Sequence, residues 1–118
     1  INAKIENARA YDDGLSKISG VVIPPRKKGY KNVFHNYVIM VEKRNELLNF
    51  LRERRIDAKV HYPIPLHLQK ASRYLGYKKG DFPVTEYQAD HIISLPVHQH
   101  LTDEQKRYVI QKVGEFFK

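Results

Sequence analysis

The chain has 118 residues, a formal net charge of +8 and no cysteine. That length carries one core-bearing domain (1–118) without staples, and the missing thiols exclude a disulfide framework, a Cys-based metal site and a cysteine nucleophile. No apolar run approaches membrane-spanning length and no signal peptide heads the chain, so the cytoplasm is the expected setting and no membrane partner is expected.

The first residues already follow a helical pattern, as a piece of a longer protein would. Ile5, Ala8, Tyr11, Leu15 and Ile18 recur at helical spacing, with Gly20 placed to end the helix in a left-handed conformation. Gly14 inside that pattern weakens the helix, which therefore needs a packing partner. From Val21 to Lys31, two prolines, Gly29 and four basic residues read as an irregular loop. Val33 to Val41 reads as a strand, with Val33, His35, Tyr37, Ile39 and Val41 on one face. Phe34, Val38 and Met40 take the other face, so the strand is expected at the centre of its sheet.

Leu47, Leu48 and Leu51 give the next helix its buried stripe, with Arg and Glu opposite. Ile56 to Val60 reads as a second strand completing a β-α-β unit. A connection from His61 to Gln69 follows, and then Leu68, Ala71 and Leu75 mark a short helix stopping at Gly76. Gly80, Asp81 and Pro83 form a turn, and Thr85 with Gln88 fits a capping box for a helix turning Ala89, Ile92 and Ile93 inward. Ser94 to Val97 is a short extended piece placed at a sheet edge by Pro96. Thr102 with Gln105 is a second capping box, opening a helix with Val109, Val113 and Phe116 on one side. The expected fold class is a small α/β domain, a few-stranded sheet covered by helices.

The connection His61-Tyr62-Pro63-Ile64-Pro65-Leu66-His67-Leu68-Gln69 concentrates the chemistry. Each residue before a proline is pushed out of the helical region, so Tyr62 and Ile64 are expected to be extended. A stiff arm of this kind points its polar groups in set directions, which suits a binding loop. Its plainer reading is a strand-to-helix connector punctuated by prolines. The binding surface offered is His61, Tyr62, His67 and Gln69, with His35 and Tyr37 as further polar residues on a strand face that is equally suited to the core.

Six histidines raise the question of a metal. His61 and His67 straddle the arm and His98 and His100 lie two apart, but neither pair has helix-ligand spacing or a nearby carboxylate, so no metal site is expected. No nucleophile elbow, P-loop or dinucleotide-binding glycine pattern is present, and no catalytic residue is assigned to this chain. Basic residues are scattered over the 26–31 loop, the 43–55 helix and Lys78-Lys79. They favour anionic partners in general, without any nucleic-acid-binding fingerprint. A free-standing basic binding module stays open as an alternative.

The ordered blocks Asn7-Ala8-Arg9-Ala10-Tyr11, His35-Asn36-Tyr37-Val38-Ile39, Arg44 with Leu47, Leu48 and Leu51, and His61-Tyr62-Pro63-Ile64-Pro65 resemble one family. So do His67-Leu68-Gln69, Leu75-Gly76-Tyr77, Gly80-Asp81-Phe82-Pro83, Glu86, Ser94-Leu95-Pro96 and Leu101-Thr102-Asp103-Glu104-Gln105. That family is DegT/DnrJ/EryC1/StrS, the pyridoxal-phosphate-dependent nucleotide-sugar aminotransferases. Arg55 stands where its members often have glycine, and Gln99 replaces a common proline.

The resemblance implies a fold-type-I aminotransferase with this chain as its C-terminal small domain, the large cofactor-binding domain lying outside it. Members hold the cofactor as a Schiff base on a lysine of that large domain, a role given to no lysine here. They pass an amino group, typically from L-glutamate, to a keto-sugar on a nucleotide diphosphate, and the parent is expected to be a homodimer. The resemblance places His61 and Tyr62 against the sugar, with His67 and Gln69 as weaker candidates and His35 and Tyr37 as supports. A deoxysugar dehydratase of the same family is the sibling alternative. The isolated piece is expected to be inactive, with an apolar patch where the large domain would pack.

Overall fold

In the computed structural model the apolar alternation around Tyr37 becomes the middle strand of a three-stranded antiparallel sheet. The structure describes residues 2–26, 34, 36–61 and 64–118. Its helices are α1 (Asn2–Leu15), α2 (Arg44–Glu53), α3 (Pro83–His91) and α4 (Asp103–Phe116). Its strands are β1 (Val21–Val22), β2 (Tyr37–Val41) and β3 (Ile92–Leu95), and two 3-10 turns span Leu66–Leu68 and Lys70–Leu75. The order is β1-β2-β3, with Val21 opposite Val41 and Ile39 opposite Ile93.

As period two requires, Tyr37, Ile39 and Val41 are buried while Val38 and Met40 are half-buried. The expected strand is shorter than its pattern. Phe34 sits at φ 53, which breaks the alternation, and its ring joins the core 6.3 Å from Tyr37 instead of facing the opposite way. Val33 and His35 lie outside the described residues.

Leu47 and Leu51 of α2 are fully buried, as are Tyr11 and Leu15 of α1 and Val113 of α4. Burying an aliphatic side chain of this size stabilises the fold by about 1.5–3 kcal/mol. Gly14 does pack closely: a Cβ there would lie 2.7 Å from Ile110, so the glycine lets α1 and α4 touch. Gly20 is left-handed, at φ 100, but α1 already ends at Leu15, so the glycine serves the turn into β1 rather than ending the helix. The capping box at α4 is complete, with Gln105 N donating to Thr102 Oγ1 at 3.1 Å and Thr102 N to Gln105 Oε1 at 2.9 Å.

Several expectations are corrected. The second strand of the expected β-α-β unit is reduced to a single bridge. Lys59 pairs antiparallel with Ser94, and because β2 is itself antiparallel to β3, the run after α2 lies parallel to β2 with β3 between them. Arg44, expected on the solvent side, is buried, its Nη1 donating to the carbonyls of Ala89 at 2.8 Å and Ile92 at 3.0 Å. It fastens α2 to the point where α3 gives way to β3.

Thr85 and Gln88 make no cap. Pro83 fits the first helical position, so α3 begins there and Thr85 falls inside the helix. The stretch with Leu68, Ala71 and Leu75 is 3-10 rather than α-helical, and it buries His67 and Ser72 while Ala71 and Leu75 stay exposed.

Candidate functional site

Extended geometry after α2 sets the first functional side chain. Ile56 and Ala58 point into the core, and alternation turns Asp57, Lys59 and His61 together toward the other side. Lys59 is held there by its bridge: its N–H donates to Ser94 O at 3.0 Å, and Ser94 N–H returns to Lys59 O at 2.8 Å. His61, half-buried, lines a groove of about 220 Å³ together with Lys4, Ser94 and His98. Tyr62, the second sugar-facing candidate, and Pro63 lie outside the described residues.

Further along the arm the polar groups are engaged within it. Gln69 Nε2 donates to Ile64 O at 3.1 Å, closing the proline segment into a loop. His67 is buried, with Nε2 3.2 Å from Glu86 Oε2 and its ring edge-on to Phe82, centroids 4.8 Å apart.

Glu86 is the hub of this region. Its carboxylate accepts Gly80 N–H at 2.8 and 3.0 Å and Phe82 N–H at 3.1 Å, besides facing His67. The Gly80 amide above all, with Phe82 and His67 adding to it, holds this carboxyl below the usual carboxylate range. One turn of α3 thus ties the 80–82 turn to the arm. Glu86 carried no assigned role in the sequence. Its signal was its place after the Gly80-Asp81-Phe82-Pro83 turn, four residues past an N-cap with no capping side chain of its own.

Tyr37 belongs to a second polar cluster. It is fully buried, and its hydroxyl donates to Asp12 Oδ1 at 2.7 Å. Arg26 reaches the same carboxylate through Nη2 at 3.1 Å and Nε at 3.3 Å, with its guanidinium over the Phe34 ring at 5.0 Å. Burial first, and the Asp12 bond second, push the Tyr37 hydroxyl far above its ordinary range, so it stays a donor. His35 lies outside the described residues. Asp12 went unremarked in the sequence because its partners lie 14 and 25 residues away.

Among the described residues no His, Asp or Glu cluster could hold a metal ion, and no helix is long and apolar enough to cross a membrane.

The model of the DegT/DnrJ/EryC1/StrS aminotransferase family matches residues 1–114. The chain belongs to this family. It is 45% identical over 115 residues to a pleiotropic regulatory protein of Geobacillus stearothermophilus, covering 96% of this chain and 31% of that protein. It is 34% identical over 109 residues to the dTDP-3-amino-3,4,6-trideoxy-alpha-D-glucose transaminase of Streptomyces venezuelae, covering 92% and 29%. Superposed on the crystal structure of S. venezuelae DesV in complex with a ketimine intermediate, it gives a TM-score of 0.95 at 32% identity. That match covers 99% of this chain and 32% of the other. The DegT family chain thus spans about a third of the length of the relatives it matches, in the small sheet-and-helix part of a fold-type-I aminotransferase.

The family implies pyridoxal phosphate, and the described residues do not fit its covalent site. Lys106 is the one buried lysine among them, and its Nζ is bound to Asp103 Oδ1 at 2.8 Å on the same helix. The polar groups of the arm and groove suit contact with a hydroxylated or anionic substrate instead.

Proposed function

We propose that this chain is the C-terminal small domain of a pyridoxal-phosphate-dependent aminotransferase that aminates a nucleotide-linked keto-sugar, with L-glutamate as the usual donor. The observation that carries this reading is the superposition on the S. venezuelae aminotransferase over nearly every residue. The cofactor supplies the electron sink for amino-group transfer and is held by the larger remainder of the polypeptide. The parent works as a homodimer in the cytoplasm.

This chain supplies position. His61 and Tyr62 hydrogen-bond the sugar hydroxyls, and the prolines around them set that geometry before substrate arrives, which lowers the ordering cost of binding. His67 and Gln69, bound to Glu86 and to the Ile64 carbonyl, hold the arm in place and reach the sugar only at its edge. Tyr37 and His35 support the strand beneath.

The test uses the longer polypeptide. Glutamate changes the absorbance of its bound cofactor, and a nucleotide-linked keto-sugar then yields the amino sugar. A cofactor-bound form that gives a deoxygenated sugar points to the dehydratase sibling, and a polypeptide that binds no cofactor sinks the catalytic reading. His61→Ala and Tyr62→Ala raise KM for the sugar and leave the glutamate half-reaction unchanged. Survival of both turnover and sugar affinity in both variants removes the ligand role.

A further inference from the structure

We propose that Glu86 is a positioning residue that fixes the tautomer of His67, so that the neutral ring offers its substrate a hydrogen-bond acceptor and no donor. That the substrate is a sugar rests on the proposed function; the polarity of the His67 ring rests on geometry.

Both carboxylate oxygens of Glu86 face donors. Gly80 N–H lies 2.8 Å from Oε1 and 3.0 Å from Oε2, and Phe82 N–H lies 3.1 Å from Oε2. Those bonds leave no place for an acid proton and keep the group ionised, the Gly80 amide contributing most. An ionised carboxylate only accepts. The proton in the 3.2 Å contact between Glu86 Oε2 and His67 Nε2 therefore sits on the imidazole nitrogen. In a neutral ring the two nitrogens divide the roles of donor and acceptor, so Nδ1 is left as the acceptor.

Nδ1 makes no hydrogen bond to the described residues. The ring is buried, yet among the described residues no wholly buried polar side-chain atom lacks a partner. Nδ1 is thus the edge by which His67 meets the surface of the arm. Phe82 packs edge-on against the ring with centroids 4.8 Å apart, and Tyr77 backs Phe82 at 5.0 Å. These aromatic contacts set the plane of the ring, while Glu86 sets which nitrogen points inward. A hydroxyl lying over the arm can donate to Nδ1. A carbonyl or carboxylate oxygen in the same place meets a lone pair and is disfavoured.

Two experiments decide it. Long-range proton–nitrogen NMR of the histidine rings in this chain reads the tautomer directly. His67 should be wholly Nε2–H in its neutral form, and Glu86→Ala should bring in the Nδ1–H form. A His67 that is Nδ1–H, or a mixture of the two with Glu86 in place, overturns the proposal. In the longer polypeptide, Glu86→Ala should raise KM for the keto-sugar about three- to tenfold, the loss of about one hydrogen bond, with little of the effect in the glutamate half-reaction. His67→Phe keeps a ring packed on Phe82 and should raise KM by a similar factor. A merely structural Glu86 adds its loss to that of His67→Phe, whereas one acting through the His67 ring has no further effect in that background. Additive losses, or an unchanged KM in Glu86→Ala, remove the positioning role. The tautomer is read without cofactor or sugar, so it can fail while transamination stands, and hold where transamination fails.

Discussion

Around β2, the inward positions are filled by apolar side chains that no water reaches: Tyr37, Ile39, Leu47, Leu51 and Val113 are all fully buried. From Ile64 to Tyr87 the relation is inverted. Eight of the ten large hydrophobic side chains exposed among the described residues lie in that stretch, with Tyr74 at 85%, Leu66 at 73% and Val84 at 69%. What is buried there is polar, His67 and Ser72. The first region is organised by area removed from water, the second by hydrogen bonds converging on one carboxylate. A segment that exposes this much apolar surface while keeping its backbone ordered is built to be covered.

The sharpest way to break the contrast is to strike both regions and compare global stability. Leu47→Ala opens a cavity under the sheet and should cost about 2–5 kcal/mol in urea denaturation. Tyr37→Phe keeps the ring and loses only its bond to Asp12, which Arg26 continues to satisfy, so the loss should be about 1 kcal/mol. Arg55 holds φ 64, a left-handed conformation that costs a side-chain-bearing residue energy. Arg55→Gly should therefore raise stability by up to about 1 kcal/mol in the same assay, and a loss would mean the Arg55 side chain makes compensating contacts.

Glu86→Gln marks the other end of the scale. It should leave the urea midpoint in place while Gly80 and Phe82 amides exchange faster with solvent. A drop in global stability comparable to Leu47→Ala would merge the two regions into one cooperative unit. The pH dependence has a definite sign. Because the folded carboxyl of Glu86 titrates below its unfolded value, its contribution is present above the unfolded value and is lost as pH falls through the lower folded one. Protection of those two amides should outlast the titration of ordinary carboxylates and then disappear on further acidification.

The parts that could be read in advance are those whose signals are local. Thr102 and Gln105 sit three residues apart and cap α4 as their spacing predicts, and Tyr37, Ile39 and Val41 announce β2 by alternation alone. Arg55, set by the resemblance at a position where glycine was expected, is left-handed at φ 64, the conformation glycine adopts without steric cost. Thr85 and Gln88 had the same capping spacing and failed, because Pro83 set the helix start three residues earlier, with Phe82 as its N-cap. The direction implied by a β-α-β unit holds, but nothing between Ile56 and Val60 encodes that the run shrinks to one bridge or that β3 lies between it and β2. Arg44 and His67 were misplaced or incompletely read for a related reason. Their partners, Ala89, Ile92 and Glu86, lie 45, 48 and 19 residues away. The resemblance singled out the arm, while the residue that holds His67 came from another helix.

The latch between α1 and the turn after β3 has a consequence for biosynthesis. Asn7 bonds to His98 and Tyr11 to Pro96, separations of 91 and 85 residues, and Gly14 waits for Ile110. At translation rates of about 5–20 residues per second, α1 emerges from the ribosome roughly 5 to 20 s before its partners exist. During that interval its apolar stripe has no home within this domain. Nascent chains paused between residues 20 and 95 should therefore be the species that chaperones hold most avidly.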